Sequence, residues 1–265
     1  MGIADLTLWQ WAGAVTAALL VGLSKAGFGT GAGILAVPLM ATVLGPADML
    51  SVMLLVLITG DVFSLVHYVR EHDRRNLMIL VPGMLAGVAV GTLALGWFLA
   101  LPDSRLWMER LVGVLSVGFV GVQFYRMARE HRLGEPGPAY RPRAWHGIGL
   151  GACAGVTSTL AHAGGPLIVL FMLPQKLDKR VFVGTVLKYF FVGNLVKLIP
   201  YTVQGLMNAQ NALLGLLLLP AVAVGAVAGA RLNRRFSDRA FRLLVYGLAL
   251  ALGLYLLSGW GPRGG

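Results

Sequence analysis

Cysteine and acidic residues are both scarce in this chain of 265 residues. Cys153 is the only cysteine, which excludes an intramolecular disulfide and a cysteine-rich metal site. Charged residues make up 12% of the sequence, whereas hydrophobic residues make up 57% and the mean hydropathy is +0.76. A soluble domain of this length could not bury so much apolar surface. The composition therefore predicts an all-α polytopic membrane protein.

The sequence also lacks the motifs of known intramembrane and nucleotide-dependent enzymes. It contains no H-E-x-x-H, no G-x-S-x-G and no Walker glycine–lysine loop, and its five histidines are dispersed. We therefore expect no enzyme, no cofactor and no bound metal. The excess of 22 Lys and Arg over 11 Asp and Glu does not indicate nucleic acid, because these basic residues fall mostly in short loops between apolar segments.

Six apolar segments are long enough to cross a bilayer, and two further apolar regions are interrupted by glycine. The start of the chain has no basic residues ahead of its first apolar run, so we expect a retained helix there and not a cleaved signal. The predicted spans are 47–68, 77–101, 107–126, 181–201, 209–230 and 240–258, and the interrupted regions are 8–44 and 146–173.

The two halves of the chain resemble each other. A shift of 133 residues places 44–68 on 177–201, so that Asp61 meets Asn194. A P-x4-G-x3-G pattern also occurs in both halves, at a shift of 138. Two related halves are a common plan for transporters. The predicted units are a first transmembrane repeat at 1–126, a cytoplasmic linker at 127–145 and a second transmembrane repeat at 146–265.

The positions of Lys and Arg indicate how the halves are oriented. If each interrupted region crosses the bilayer once, nine Lys and Arg residues lie on each side of the membrane. If each region instead enters and returns as a hairpin, fifteen lie on one side and three on the other, as the positive-inside rule requires. The hairpin arrangement predicts two inverted-topology repeats, each a glycine-broken helical hairpin plus three transmembrane helices. It also places the basic loops in the cytoplasm and both termini on the outer side of the membrane.

We expect the two glycine breaks to form a binding site at mid-membrane. Backbone that is not helical at that depth must line a cavity or be buried in protein, because lipid satisfies no peptide groups. Each break leads into a short helix whose free N–H groups attract an anion. The alternative is that the glycines only permit close helix packing. The candidate ligands are Lys25, Gly29, Thr30, Gly31 and Gly33 in the first break, Thr157, Ser158, His162, Gly164 and Gly165 in the second, and Thr185, Lys188 and Asn194 on the span 181–201.

Several of these residues have a second possible role. Lys25 either complements the anion or extends to the membrane interface. Thr157 and Ser158 either bind the anion or hydrogen-bond to their own helix. His162 either contacts the anion and takes up a proton, or is a structural imidazole. Asp61 either accepts a coupling proton or pairs with a lysine.

Two lysines lie on the span 181–201, nine residues apart and therefore on opposite faces of a helix. We predict that Lys188 is the deeper of the two and is the better candidate for the site. Lys197 is about one turn from the end of the span, so we predict that it extends to the interface.

Two segments resemble the sulfite exporter TauE/SafE family, also described as the toluenesulfonate uptake permease family. GFGTGAGILAVPLM is similar to the family's glycine-rich segment, which runs into Pro-Leu. LDKRVFVGTVLKYFFVGN is similar to its second-half signature, with Gly184 and Thr185 as the Gly-Thr pair. The chain departs from the family pattern where AHAGGP replaces a fuller glycine cluster and SVMLL replaces a Gly-Thr-Ser stretch.

The resemblance implies a carrier of sulfite, organosulfonates or related anions in the bacterial inner membrane, which uses an ion gradient and not ATP. In such a membrane, both termini are predicted to be periplasmic. The expected partners are a small anion, the lipid bilayer and a coupling ion, for which we expect H+. A passive anion channel and a non-transport membrane scaffold or enzyme are the alternatives. The sequence is compatible with a homo-oligomer and does not specify the direction of transport.

Overall fold

The computed structural model describes residues 6–25, 33–133, 142–232 and 238–258. Within these ranges the backbone is almost entirely α-helical and contains no strand, which confirms the predicted all-α class. Helices suit this apolar sequence because a helix satisfies its own backbone groups without water.

The helices follow the apolar segments of the sequence. At the starts of two helices, the side chains of Asp73 and Asp178 accept hydrogen bonds from the backbone N–H groups of Asn76 and Arg180. The first half forms α1 (Leu8–Leu23), α2 (Gly33–Leu44), α3 (Pro46–Tyr68), α4 (Arg74–Ala100) and α5 (Ser104–Leu133). The second half forms α6 (Ala144–Ala161), α7 (Gly165–Met172), a 3₁₀ turn (Leu173–Gln175), α8 (Lys179–Val203), α9 (Ala209–Leu217), α10 (Leu219–Leu232) and α11 (Asp238–Ser258).

Among the described residues, five helical segments are long and apolar enough to cross a membrane. They correspond to the first five predicted spans. The last of them, Ala209–Gly229, consists of α9 and α10, which are separated at Leu218. The sixth predicted span, 240–258, lies within α11, whose described apolar portion is the shorter segment Ala249–Ser258.

Each glycine-broken region folds back on itself. Near the start of α1, Gln10 Nε2 donates to the carbonyl oxygen of Val43, near the end of α2, at 2.9 Å. Near the start of α6, a Cβ added to Gly147 would lie 2.9 Å from Cζ of Phe171, near the end of α7. Both regions are therefore antiparallel hairpins, as predicted. The eight residues of α7 span only about 12 Å, which is too short for the hydrocarbon core and favours a re-entrant second hairpin.

The basic loops 69–76 and 174–180 lie at one end of the helix bundle. Asn76 Nδ2 donates to Gln175 Oε1 at 2.8 Å, which joins the two loops. The helices α4 and α6 run parallel, with Gly83 packed against the backbone of Ile148, so the start of α6 at Ala144 lies at the same end. This clustering is what the hairpin arrangement predicts.

One close helix contact between the two halves occurs twice, each time at a glycine of one of the broken hairpins. A Cβ added to Gly155 on α6 would lie 2.5 Å from the carbonyl oxygen of Met84 on α4. A Cβ added to Gly22 on α1 would lie 2.1 Å from the carbonyl oxygen of Val222 on α10. Positions 22 and 155 differ by 133 and positions 84 and 222 by 138, which are the two shifts that relate the sequence halves. These matched contacts support the inverted-topology repeat, which stays a prediction for the halves as a whole.

Candidate functional site

The second glycine break lies between α6 and α7. His162 ends α6 in the left-handed conformation, with φ 50° and ψ 26°, which is uncommon for a residue with a side chain. Its N–H donates to the carbonyl oxygen of Ser158 at 2.9 Å and so satisfies one of the last carbonyls of the helix. The next helix begins at Gly165, with Pro166 in its first turn, where the missing N–H costs nothing.

The first glycine break follows α1. The helix ends at Leu23, and Ser24 and Lys25 form a wider π-helical turn. Gly33 begins α2. Of the other candidate ligands, Gly29, Thr30 and Gly31 lie outside the described residues.

A cavity of about 170 Å³ lies between the two hairpins. Apolar side chains from α3, α5 and α8, such as Leu57, Phe119 and Phe190, form much of its described wall. A mostly apolar pocket with a few convergent polar groups is typical of small-ligand sites. Six residues that the sequence analysis selected lie on this wall: Lys25, Asp61, Ser158, His162, Gly165 and Asn194.

An ion pair joins the first break to α3. The Lys25 ammonium pairs with the Asp61 carboxylate and also donates to the carbonyl oxygen of Leu57 at 3.2 Å. The second carboxylate oxygen of Asp61 accepts from Asn194 Nδ2 at 2.8 Å. Asp61 and Asn194 occupy equivalent positions in the two halves, and both are buried. Asp61 thus pairs with a lysine, one of its two predicted roles.

A second lysine lies behind the cavity wall. Lys197 is 1% exposed, and its Nζ donates to Ser158 Oγ at 2.9 Å and to the Ser158 carbonyl oxygen at 3.3 Å. The prediction that Lys197 extends to the interface is wrong. One turn further along α8, the buried Tyr201 hydroxyl donates to the carbonyl oxygen of Thr159 at 2.7 Å, so α6 covers this end of α8.

His162 connects Lys197 to α3. Its Nε2 lies 2.9 Å from the carbonyl oxygen of Leu50, and because a carbonyl can only accept, Nε2 carries the proton. Its Nδ1 accepts from Lys197 Nζ at 3.0 Å. Both ring nitrogens are therefore engaged within the protein, in the neutral form of the imidazole. This geometry matches the structural role that was one of the two alternatives for His162.

The described residues around the cavity include more basic than acidic side chains. Lys25 and Lys197 supply two amino groups, and Asp61 supplies one carboxyl group. The segment 26–32 contains no charged residue in the sequence. A buried charge without a counter-charge is costly, so a bound anion would stabilise this arrangement.

Two candidate ligands on α8 lie away from the cavity. Lys188 Nζ donates to the carbonyl oxygen of Val69 at 2.6 Å, and Thr185 Oγ1 accepts from the N–H of Asp73 at 2.8 Å. Both therefore hold the loop between α3 and α4. The prediction that Lys188 is the deeper lysine is wrong, because its face of α8 packs on this loop while the opposite face carries Lys197 inward.

Two candidates in the second break have packing roles in the described contacts. Thr157 Oγ1 donates to the carbonyl oxygen of Cys153 at 2.9 Å, within its own helix. A Cβ added to Gly164 would lie 2.6 Å from the carbonyl oxygen of Ala154. Close approach of backbone to backbone accounts for this glycine. Neither residue contributes to the described cavity wall.

Comparison with known proteins decides the family. A family model described as sulfite exporter TauE/SafE matches residues 14–256. The chain belongs to the TauE/SafE family. The match covers both breaks and every cavity residue named above, and it confirms the resemblance found in the sequence. No curated protein and no solved structure matches the chain.

Membership defines the general activity of this TauE/SafE chain. The family consists of membrane transporters, the sulfite exporters, and not of enzymes. Together with the long apolar helices, this makes the chain a multi-pass membrane protein of a sulfur-anion transport family.

Proposed function

We propose that this chain is a secondary-active transporter of small sulfur-containing anions, such as sulfite or an organosulfonate, and that the cavity between the two hairpins binds the anion. The observation that carries the proposal is the set of basic groups at the cavity, where the described residues place the partly buried Lys25 and the buried Lys197 against one carboxyl group, that of Asp61.

The groups on the cavity wall suit an oxyanion. Oxygens of sulfite or of a sulfonate accept hydrogen bonds, and the Lys25 ammonium and the second hydrogen of Asn194 Nδ2 are donors. The start of α7 at Gly165 adds unpaired backbone N–H groups and the positive end of a helix dipole. The apolar wall around Leu57 and Phe190 would accept the organic part of a sulfonate.

Asp61 is the proposed proton-coupling group. It is the one carboxylate on the described cavity wall, and it competes with the substrate for Lys25. Protonation of Asp61 would free the Lys25 ammonium to bind the anion, and deprotonation would restore the ion pair. Binding of H+ and of the anion are then linked, as a proton-coupled carrier requires.

The proposed location is a bacterial inner membrane, with the basic loops in the cytoplasm and both termini in the periplasm. The support is that the basic loops 69–76 and 174–180 share one end of the bundle. A reporter fused after Gly205 is expected to be periplasmic. A cytoplasmic signal from that fusion would contradict the topology.

Counterflow in proteoliposomes tests the transport proposal. Vesicles that contain the purified chain are loaded with unlabelled sulfite or ethanesulfonate, and uptake of radiolabelled sulfite is measured with and without a proton gradient. A carrier shows saturable uptake that internal substrate accelerates. Uptake without acceleration indicates the passive channel, and no uptake of either anion rejects the proposed substrates.

A further inference from the structure

Ser158 and Lys197 form a pair in which only the serine reaches the cavity. Ser158 is part of the cavity wall, whereas Lys197 is not and is 1% exposed. The Lys197 Nζ lies 2.9 Å from Ser158 Oγ. The Lys197 amino group therefore lies directly behind a hydroxyl group that faces the cavity.

The hydrogen bonds of this pair leave the serine proton available. In the protonated form of Lys197, its three ammonium protons match three neutral acceptors, which are Ser158 Oγ, the Ser158 carbonyl oxygen and His162 Nδ1. Ser158 Oγ is thus an acceptor toward Lys197, so its own O–H points elsewhere. Among the described residues no acceptor for that O–H is found, and the side chain borders the cavity.

We propose that Ser158 transmits the charge of Lys197 to the bound anion. The serine hydroxyl accepts from the ammonium and donates to an oxygen of the anion, so Lys197 acts as a positioning residue and Ser158 as the contact. Hydrogen bonds that involve an ionised group are about twice as strong as neutral ones. The inference rests on the proposed function of the cavity, and it names the contact that the second half makes with the anion.

The internal repeat provides a separate argument. At the shift of 133 residues, Ser158 corresponds to Lys25 and Lys197 corresponds to Ser64. Each half therefore contains one lysine and one serine at these two positions, in exchanged order. The first half presents its ammonium to the cavity directly, from the end of α1. The second half has its ammonium on α8 and a hydroxyl at the cavity.

Calorimetric titration of the purified full chain with methanesulfonate, sulfite and the uncharged dimethyl sulfone tests the inference. We expect wild-type protein to bind both anions and not the sulfone. Ser158→Ala and Lys197→Met should each weaken methanesulfonate binding by about tenfold or more. Because both changes interrupt the same relay, the double variant should bind methanesulfonate only slightly more weakly than either single variant.

Two controls make the result decisive. Lys188→Met removes a lysine nine residues away on the same helix and should leave anion affinity unchanged. Ser158→Ala keeps two acceptors of Lys197, the carbonyl oxygen of Ser158 and His162, so its thermal unfolding midpoint should remain close to that of the wild type. Unchanged affinity in Ser158→Ala, or full additivity in the double variant, overturns the relay and leaves the proposed function intact. Wild-type protein that binds neither anion overturns both.

Discussion

Helix α8 carries two lysines in opposite surroundings. Lys188 is partly exposed, and it donates to the Val69 carbonyl oxygen and to Nδ1 of His72 at the edge of the bundle. Lys197 is 1% exposed and lies beside the cavity. Nine residues separate them, which places them on opposite faces of the helix. The difference shows that the face of a helix, and not the distance from its end, decides which charged residue reaches the interior.

The largest expected effect compares the ion pair at the cavity, Lys25 with Asp61, with the ion pair at the loop between α3 and α4, Glu71 with Arg180. Asp61→Asn leaves the Lys25 ammonium without its carboxylate in a buried site, and should lower the free energy of unfolding by about 3–5 kcal/mol. Glu71→Gln breaks the exposed pair with Arg180 near Lys188, and should cost about 1 kcal/mol or less. Unfolding of both variants in detergent without substrate measures the difference. Equal losses of stability would contradict the expectation that the ion pair at the cavity contributes more than the exposed pair.

A second pair of variants separates packing from binding at the cavity. Gly164→Val places a side chain against the carbonyl oxygen of Ala154, and should cost about 1–3 kcal/mol of stability. Gly165→Val meets no described atom within 4 Å of its Cβ and projects into the cavity wall. It should keep the thermal unfolding midpoint and stop sulfite uptake. Normal uptake by a folded Gly165→Val protein would place the anion elsewhere.

The smallest expected effect concerns Thr185, which holds the loop between α3 and α4. Thr185→Val removes the acceptor of the Asp73 N–H at the start of α4, which should cost about 1 kcal/mol. Because Thr185 lies off the described cavity wall, the affinity for methanesulfonate should not change. Thermal unfolding and anion titration of the same preparation measure both quantities. A marked loss of affinity for methanesulfonate would indicate that Thr185 contributes to the binding site.

The breaks and their polar residues could be predicted from the sequence because their signals are local. Glycine-rich stretches interrupt otherwise apolar segments, and the structure ends α1 and α6 at those stretches. Asp61 and Asn194 were found as equivalent polar positions inside apolar spans, and the structure joins their side chains at 2.8 Å. Residues that correspond in two related halves can meet where the halves face each other, which explains this contact.

The assignment of the lysines failed because it used depth along the helix. The prediction counted residues from the end of the span and assumed that this end contacts water. In the structure, Tyr201 at that end is fully buried against α6. A usable signal was present in the sequence. Lys197 is three residues from Asn194 and shares its face, and Asn194 is the repeat counterpart of Asp61. The exact partners of Lys197 could not be predicted, because they depend on how α6 crosses α8.

The glycine contacts at Gly22 and Gly155 have a mechanical consequence. At each of them, backbone lies on backbone with no space for a methyl group, so α1 packs tightly on α10 and α6 packs tightly on α4. Each hairpin is thereby held by the sequence half to which it does not belong. The rigid bodies of a transport cycle are then expected to be these mixed units, and any motion that opens the cavity must shear along other helix boundaries.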